Sequence, residues 1–252
     1  MISIIIPTKG KSELLENLIK SIMDSTFNNY EIIVVSNTNN INLNNIKIIF
    51  NETFKGYSHA LNLGAKAAKG EFLFFINDDM LFNKNALKNL YDGALKQGKE
   101  NLYAPMLLNH DGSLQDSVFL SFFSKTIFES FQNKVHYFAI KIVNLFLYLL
   151  NLKLTMWGLT NINPNSNKNY KHVMGAAIFI YKTTYKKAGG FDEKIHLTLE
   201  DQLFCMNVLK LGYKVKFVED SKIIHYGNQT VSHLKNFDDI FKDSVDYFRN
   251  FK

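Results

Sequence analysis

Two adjacent carboxylates follow an apolar stretch in the first third of the chain. Asp78 and Asp79 come after Phe72–Ile76, separated from it only by Asn77. Neighbouring carboxylates repel each other, so such a pair is expected where a positive charge is shared. Mg²⁺ and Mn²⁺ prefer oxygen ligands and take few from the protein when phosphates and water supply the rest. The pattern predicts a site for a divalent cation and a diphosphate, and the alternative is a simple helix N-cap.

A second acidic pair and a histidine could complete such a site. Glu200 and Asp201 open a segment with helical spacing, and His225 ends a short apolar run. A carboxylate can take a proton from an attacking hydroxyl group, and imidazole can bind a metal ion. Each feature also has a structural explanation, because acids favour helix N-termini and a single histidine is more often structural than a ligand.

The elements that would position these residues alternate between strand and helix patterns. Short β-branched runs predict strands, and apolar residues at helical spacing predict helices. In the first half, strands are predicted at 2–6, 31–35, 47–50 and 71–76, and helices at 12–27, 57–68 and 83–95. This alternation predicts an α/β fold with a Rossmann-like, mostly parallel sheet flanked by helices. Ligands bind beyond the carboxyl ends of the strands in such sheets, which is where Asp78 and Asp79 lie.

The second half has a less regular pattern. Strands are predicted at 102–108, 173–181, 215–218 and 222–225, and helices at 200–211 and 236–251. Residues 118–154 are rich in aromatic and aliphatic side chains and are predicted to form a helical insert. We expect one structural domain with a first half over 1–105, a second half over 106–232 and a C-terminal helix over 233–252.

Composition limits the class of protein. Of the 252 residues 46% are hydrophobic, which is enough for a substantial core and excludes global disorder. The single cysteine, Cys205, excludes a disulfide framework and a multi-cysteine zinc site, and it predicts a reducing compartment. The net charge is +6, yet Arg249 is the only arginine, so no nucleic-acid partner is expected. Scattered lysines suit phosphates or an anionic membrane surface better.

Motifs of several other enzyme classes are missing. No G-x-G-x-x-G follows a strand, and no G-x-S-x-G is present, so neither a dinucleotide site nor a serine hydrolase is predicted. The segment Gly10-Lys11-Ser12 lacks the upstream glycine of a P-loop, because Ile5 stands at that position. No signal peptide is predicted. The longest apolar stretch, 135–152, is broken by polar residues and is a poor candidate for a membrane span.

A longer set of short motifs occurs in a fixed order along the chain. The set comprises Ile4-Ile5-Ile6-Pro7-Thr8, Glu31-Ile32-Ile33-Val34-Val35, Asn51, Gly56, Ala60, Asn62, Gly64, Gly70-Glu71, Phe75-Ile76-Asn77-Asp78-Asp79, Asp111-Gly112, Gly175-Ala176, Gly190-Phe191-Asp192-Glu193, Glu200-Asp201 and His225. In order and spacing this set resembles the family 2 glycosyltransferases with the GT-A fold, of the rhamnosyltransferase-like kind. The resemblance covers residues 1–110 and 172–232.

The resemblance implies an inverting enzyme. It would move a sugar from a UDP- or dTDP-sugar to a glycan or lipid-linked acceptor during cell-envelope polysaccharide synthesis. Asp79 and His225 would lie at a Mn²⁺ or Mg²⁺ ion. Asp201 and Glu200 would be the catalytic residues, with Asp201 as the base and Glu200 holding the acceptor or capping the helix. The donor-binding residues that the resemblance implies are Pro7, Thr8, Ser36, Asn37, Lys55, Gly56, Asn62, Asn77, Asp78 and Gly175. Inversion is one in-line displacement, for which a base and a cation at the leaving diphosphate are suitable.

Three positions depart from the family pattern. Ser36 stands where the family usually has an aspartate that contacts the pyrimidine, so the choice between UDP and dTDP stays open. Leu203 and Asn207 replace an acid and an arginine. These departures motivate one alternative, an inactive nucleotide-sugar-binding or scaffold protein. A second alternative is a nucleotidyltransferase, because such enzymes also use acids after a strand, although Lys9-Gly10-Lys11 only faintly resembles the basic loop that they usually need.

The resemblance also sets expectations for the two halves. Residues 1–105 would bind the nucleotide sugar, and 106–232 would hold the acceptor and the base. The insert at 118–154 either packs as core or forms an interfacial helix that brings a cytoplasmic enzyme to a lipid-linked acceptor at the membrane. The sequence does not predict an oligomeric state.

Overall fold

An eight-stranded sheet is the centre of the protein. The computed structural model describes residues 1–44, 46–52, 55–115, 118–119, 170–196, 198–227, 243–244 and 246–248. The strands are β1 (Ile2–Thr8), β2 (Tyr30–Ser36), β3 (Lys47–Phe50), β4 (Phe72–Ile76), β5 (Met80–Phe82), β6 (Leu102–Leu108), β7 (Val118–Phe119), β8 (His172–Val173), β9 (Ala177–Tyr181) and β10 (Val215–His225). The helices are α1 (Glu13–Met23), α2 (Tyr57–Ala67), α3 (Ala86–Gln97), α4 (Lys182–Lys187) and α5 (Glu200–Lys210).

The strand order of the large sheet is β3-β2-β1-β4-β9-β6-β10-β5. Strand β9 runs antiparallel to both β4 and β6, and β5 runs antiparallel to β10. The other neighbouring pairs are parallel. The mostly parallel sheet predicted from the alternating pattern is therefore confirmed, with two antiparallel strands, β9 inside the sheet and β5 at its edge. Strands β7 and β8 form a separate two-stranded pair.

Helices cover both faces of the sheet because β1 is apolar on both sides. Ile4 and Ile6 belong to one core cluster with Leu15 and Leu18 of α1, whereas Ile5 belongs to the opposite cluster, which includes α2 and α5. Such all-apolar strands are typical of parallel sheets buried on both faces. This double covering leaves the carboxyl ends of the strands as the place where polar groups can gather.

The ends of two helices show how the sequence sets local structure. Ser12 caps α1 by accepting a hydrogen bond from the Leu15 amide at 3.1 Å, as its position before the apolar repeat predicts. In α2, Gly64 lies so close to β1 that an added Cβ would come within 2.3 Å of Ile5 Cγ2. Glycine at this position lets the helix approach the sheet and brings the start of α2 close to the ends of β1 and β4.

The second half differs from its prediction in two strands. The single strand predicted over 173–181 is divided, because residues 174–176 form a turn between β8 and β9. The two strands predicted at 215–218 and 222–225 form one strand, β10, with an irregular register between Val218 and Lys222. The polar residues in that gap are held against α3, where Asn89 donates to the Asp220 carbonyl at 2.7 Å. The sequence also gave no indication of β5 or of α4.

Two predicted segments fall largely outside the described residues. Of the insert predicted over 118–154, only Val118–Phe119 is described, and it forms a strand rather than a helix. Of the C-terminal helix predicted over 233–252, residues 243–244 and 246–248 are described and are helical. In the described part of the chain, no helix is long and apolar enough to cross a membrane. The division into halves at residue 105 stays a prediction.

Candidate active site

The first acidic pair lies at the carboxyl end of β4, in the middle of the sheet. The Asn77 amide donates to the Ala176 carbonyl at 3.0 Å, which continues the β4–β9 pairing by one residue. The hydroxyl group of Thr8, at the end of β1, lies 2.6 Å from Asp78 Oδ2. Burial raises the pKa of Asp78, and the Thr8 hydrogen bond opposes that rise. Thr8, Asn77 and Asp78 are thus brought together, as the sequence predicts for strand ends at one edge.

Asp79 meets His225 because β5 and β10 are antiparallel. Met80 pairs with His225 in the register, and the Tyr226 amide donates to the Asp79 carbonyl at 3.0 Å. His225 Nε2 consequently lies 3.4 Å from Asp79 Oδ1, and both side chains are buried. The other ring nitrogen of His225, Nδ1, lies 2.7 Å from Gln115 Oε1. Residues 146 positions apart in sequence thus form the pair that the motif pattern suggested.

The Asp79–His225 pair is suited to a divalent cation. Asp79 Oδ1 is a buried oxygen without a hydrogen-bond partner, and it faces a ring nitrogen. A cation between the two would satisfy both atoms. No group of three or more His, Cys, Asp or Glu side chains that could hold a metal occurs among the described residues. Two protein ligands agree with Mg²⁺- or Mn²⁺-type sites in which substrate phosphates and water complete the coordination.

The second acidic pair begins α5, and the two residues before it have a strained backbone conformation. Thr198 and Leu199 precede it with φ values of 66° and 67°, which non-glycine residues rarely adopt. Such outliers cluster at functional sites, where the surrounding structure holds them. Asp201 accepts a hydrogen bond from the Gly175 amide at 2.7 Å and another from the Gln202 amide at 2.7 Å. The turn at 174–176 therefore connects Asp201 directly to the end of β4.

Glu200 and Asp201 have different environments although they are adjacent. Glu200 is 7% exposed, and its Oε2 has no hydrogen-bond partner, whereas Asp201 is half-buried and accepts two backbone hydrogen bonds. Burial, followed by the charge of Asp201, raises the pKa of Glu200 to about 8. Burial also raises the pKa of Asp201, but its backbone hydrogen bonds favour the anion. Of the two, Glu200 is the carboxyl group whose anion is disfavoured, and Asp201 is the one whose anion is stabilised by hydrogen bonds.

A tyrosine that the sequence reasoning missed binds the residue before the first acidic pair. The Tyr57 hydroxyl group donates to Asn77 Oδ1 at 2.6 Å. The pKa of Tyr57 is raised well above its ordinary value, first by burial and then by the charges of Glu200, Asp78, Asp79 and Asp201. These charges disfavour the ionised form of Tyr57, so its hydroxyl group keeps the proton that it donates to Asn77. No motif pointed to Tyr57, and its position at the first turn of α2, beside Gly56, was the only available signal.

The other predicted donor residues divide into two groups. Pro7, Ser36 and Asn37 lie at the ends of β1 and β2, beside Thr8. The Ser36 hydroxyl group donates to the Thr38 carbonyl at 2.8 Å, so its proton is used in a hydrogen bond within the loop that follows β2. Lys55 and Gly56 precede α2 and contact His196, whose ring nitrogen lies 3.2 Å from the Lys55 carbonyl. An added Cβ on Gly56 would come within 2.8 Å of His196 Cα.

Asn62 is occupied elsewhere in the fold. Its amide nitrogen donates to the Phe191 carbonyl at 2.9 Å and to Glu193 Oε1 at 2.8 Å. Its carbonyl oxygen accepts from the Tyr185 hydroxyl group at 2.5 Å and from the Phe191 amide at 3.0 Å. These four bonds fasten the 190–193 turn to α2. They use the full hydrogen-bonding capacity of the side chain, so the donor-binding role predicted for Asn62 has no support from its contacts.

Comparison with known families identifies the chain. The profile described as "Glycosyl transferase family 2" matches residues 3–139, which is more than half of the chain. The chain belongs to glycosyl transferase family 2. The matched region includes the first acidic pair, and it stops before the second pair and His225. The rhamnosyltransferase-like subdivision is not tested by this match and stays a prediction.

Several curated relatives of this family 2 chain are named as glycosyltransferases. The poly(ribitol-phosphate) β-N-acetylglucosaminyltransferase TarP of Staphylococcus aureus is 34% identical over 113 residues, covering 40% of this chain and 33% of that protein. The GalNAc(5)-diNAcBac-PP-undecaprenol β-1,3-glucosyltransferase of Campylobacter jejuni is 30% identical over 125 residues, covering 45% and 40%. The Escherichia coli enzyme WfgD, a UDP-Glc:α-D-GlcNAc-diphosphoundecaprenol β-1,3-glucosyltransferase, is 25% identical, covering 45% and 49%. The chain thus spans a third to a half of these relatives.

A solved structure confirms the predicted GT-A fold. The crystal structure of GalNAc-T7 with UDP, GalNAc and Mn²⁺ matches with a TM-score of 0.64 and 16% identity. The match covers 98% of this chain and 49% of that chain. At this identity the likeness concerns the fold alone. It agrees with the mixed sheet flanked by helices.

Proposed function

We propose that this family 2 chain is a metal-dependent, inverting glycosyltransferase that uses a nucleotide-diphosphate sugar. The observation that carries the proposal is that one short turn connects the two acidic pairs: the Asn77 amide donates to the Ala176 carbonyl at 3.0 Å, and the Gly175 amide donates to Asp201 at 2.7 Å. One pair is next to a buried histidine and is suited to a cation and a diphosphate. The other contains a carboxylate whose anion is stabilised by two backbone hydrogen bonds and which is partly accessible. A glycosyl transfer needs both, at opposite sides of the reacting carbon.

Asp201 is the proposed base. The acceptor oxygen attacks the anomeric carbon, the bond from that carbon to the diphosphate breaks, and the acceptor proton passes to the carboxylate. Each oxygen of Asp201 accepts one backbone hydrogen bond and keeps a second lone pair for the acceptor hydroxyl group. The two amides also fix the orientation of the carboxylate, which lowers the cost of reaching the reactive geometry.

Glu200 has a different proposed part. It stays protonated near neutral pH because of its burial and its neighbour, so it cannot compete as the base there. When Glu200 is neutral, no second negative charge lies next to Asp201. Its buried Oε2 has no hydrogen-bond partner among the described residues, so it keeps hydrogen-bonding capacity that the protein does not use. We therefore assign Glu200 to positioning of the acceptor or the sugar.

The donor diphosphate is placed at the first acidic pair. Asp79 and His225 would hold Mn²⁺ or Mg²⁺, which when bound stabilises the negative charge of the leaving diphosphate. Asp78 and Thr8, which are hydrogen-bonded to each other, lie beside this metal site, and Tyr57 holds Asn77 by a hydrogen bond. Ser36 and Asn37 lie at the next strand end, where the nucleoside is expected. Because the Ser36 hydroxyl group bonds within its own loop, we expect the base to be recognised through backbone groups and Asn37.

The relatives suggest the acceptor class. Two of them are named for undecaprenyl-diphosphate-linked acceptors and one for poly(ribitol-phosphate). We propose an acceptor of this broad class, a glycan or polyol chain on a phosphate-containing carrier, in synthesis of the cell envelope. Peripheral contact with the membrane through the 118–154 insert stays a prediction, because those residues lie almost entirely outside the described ones.

The experiment is incubation with a panel of UDP- and dTDP-sugars and Mn²⁺, followed by detection of released nucleoside diphosphate. We expect release from one donor, either by transfer or by slow hydrolysis, and its loss when EDTA removes the metal. Asp201→Asn serves as the matched control, because it keeps the shape of the site and removes the base. Binding of a donor without any release would favour the inactive binding protein. Release of a sugar 1-phosphate instead, through attack at the phosphorus next to the nucleoside, would favour a nucleotidyltransferase.

A further inference from the structure

A tight turn next to His225 accounts for the Asp111-Gly112 motif. After β6, the chain reverses so that Gln115 returns beside the strand end, with its amide donating to the Leu107 carbonyl at 2.9 Å. Gly112 has a φ of 80°, a conformation that favours glycine, and its absent Cβ would meet no other atom. Glycine is therefore required by the backbone of the turn and not by crowding.

Four side chains of this turn form a continuous hydrogen-bonded chain that ends at His225. Ser113 Oγ lies 2.6 Å from Asp111 Oδ1, and Asn109 Nδ2 lies 2.9 Å from Ser113 Oγ. Gln115 Nε2 lies 3.3 Å from Asn109 Oδ1, and Gln115 Oε1 lies 2.7 Å from His225 Nδ1. The chain connects an exposed aspartate to a buried ring.

The chemistry of these groups sets the direction of every bond. Asp111 is exposed, and hydrogen bonds from Ser113 lower its pKa, so its carboxylate only accepts. The single Ser113 proton is used on Asp111, so Ser113 must accept from the amide nitrogen of Asn109. Asn109 then presents its oxygen to the amide nitrogen of Gln115.

The directions of these hydrogen bonds determine the tautomer of the His225 ring. Gln115 presents its oxygen to His225, so Nδ1 of His225 carries the proton and Nε2 is the nitrogen that remains for another partner. Nε2 is the atom that lies 3.4 Å from the unpartnered Asp79 Oδ1. Metal-binding histidines commonly donate their second N–H to an acceptor that fixes the tautomer and the ring orientation.

We propose that the Asp111–Gln115 turn, together with Asn109, positions His225 as a metal ligand, with Gln115 as the positioning residue. This inference rests on the proposed function, because it takes the partner of Nε2 and Asp79 to be a divalent cation. Gln115 does not touch the metal or the substrate. It acts by keeping the Nε2 lone pair directed at Asp79, so that the site needs no rearrangement when the cation arrives.

The first measurement needs no metal and no substrate. In protein labelled with ¹⁵N-histidine, long-range ¹H–¹⁵N spectra distinguish a protonated Nδ1 from a protonated Nε2, and His225→Ala assigns the signals. We expect the Nδ1-protonated form at His225 in the wild type and a mixture of forms in Gln115→Met, which keeps length but cannot accept. Gln115→Glu keeps the acceptor and should restore the wild-type form. Gln97→Met, in α3 before the start of β6, is the matched control. An unchanged tautomer in Gln115→Met would overturn the proposal.

The second measurement is Mn²⁺ affinity, from the paramagnetic resonance signal of free Mn²⁺ with and without UDP. We expect Gln115→Met to weaken binding about 10–100-fold, the usual cost of losing such a partner, and Gln115→Glu and Gln97→Met to bind as the wild type does. A changed tautomer with unchanged Mn²⁺ affinity would remove His225 from the metal site and overturn the proposal. If the wild type bound no Mn²⁺, the metal part of the proposed function would fail, and the tautomer spectra would still decide whether the turn positions His225.

Discussion

The two acidic pairs are chemically alike and are held in opposite ways. Asp78 and Asp79 lie beside partners that can donate protons or share a cation, namely the Thr8 hydroxyl group and His225. Glu200 and Asp201 have no cationic neighbour among the described ion pairs. Backbone amides stabilise one of them, and the other keeps its proton.

This difference suits the two acidic pairs to different chemical roles. A site for a cation and a diphosphate gains from two charges, because the cation neutralises them when it binds. A base needs one anion with an ordered geometry, and a second charge next to it would only raise the cost of ionisation. The same dipeptide pattern can therefore serve leaving-group stabilisation at one strand end and proton removal at another.

The largest expected effect is loss of the base. Asp201→Asn keeps the size of the side chain and removes its basicity, so we expect turnover to fall by roughly 10²–10⁴. Affinity for UDP with Mn²⁺ should change little, because that site belongs to the other pair. Steady-state release of nucleoside diphosphate measures the effect. Glu200→Gln is the matched control, and a larger loss in it than in Asp201→Asn would move the base to Glu200.

The next effect comes from the turn that holds Asp201. In Gly175→Ala, the new Cβ would lie 3.1 Å from Asp201 Cβ and 3.3 Å from its Oδ2, so the carboxylate must shift. We expect turnover to fall about 10-fold, since a misplacement of 1 Å can cost ~10²-fold. The same substitution in the Asp201→Asn background should have almost no effect. Equal losses in both backgrounds would show that Gly175 acts independently of the base.

The protonated state of Glu200 predicts a pH dependence of stability. Its pKa is raised from 4.5 to about 8, so between these pH values the folded protein holds a proton that the unfolded chain has lost. The free energy of unfolding must therefore fall as pH rises through this range. We expect the Tm of Glu200→Gln to fall less between pH 5 and pH 8, by several degrees, since ~1 kcal/mol shifts Tm by ~2–4 °C at this size. The exposed Glu13→Gln should follow the wild type, and an unchanged pH slope in Glu200→Gln would refute the assignment.

The smallest effect concerns the bridge between the pairs. Tyr57→Phe removes the hydroxyl group that donates to Asn77 Oδ1 at 2.6 Å. A hydrogen bond of this kind contributes about 1 kcal/mol, so we expect UDP affinity in the presence of Mn²⁺ to fall about fivefold by calorimetry. Tyr213→Phe, whose hydroxyl group contacts only the exposed Lys187 among the described bonds, is the control. A loss of more than 100-fold would indicate that Tyr57 contacts the donor directly.

The sequence was most informative where local pattern and burial agree. The strands of the first half were predicted within two residues at each end, because β1, β2 and β4 are buried on both faces and need continuous apolar runs. The short strand β5 was missed, since three residues after an acidic pair carry no periodicity. The division between β8 and β9 was missed because Gly175 was the only turn-forming residue in an otherwise apolar run, and its contact with Asp201 could not be read from the sequence.

For the site, single residues could be predicted and their partners could not. Asp79 and His225 were recognised as motif positions, but their contact depends on antiparallel pairing between β5 and β10. The protonation of Glu200 depends on burial, and the role of Gln115 depends on a turn that returns it to β6. Such features require the folded chain. Asn62 shows the converse, because a residue that fits the family pattern is fully engaged in fastening the 190–193 turn.

The most direct test of the account is calorimetric titration of UDP, with and without Mn²⁺, into Asp79→Asn and Asp201→Asn. The account predicts that Asp201→Asn binds UDP as the wild type does and that this binding depends on Mn²⁺. It predicts that Asp79→Asn loses the Mn²⁺-dependent part of the affinity. If both variants bound UDP with the same Mn²⁺ dependence, the separation of metal and base between the two acidic pairs would be contradicted.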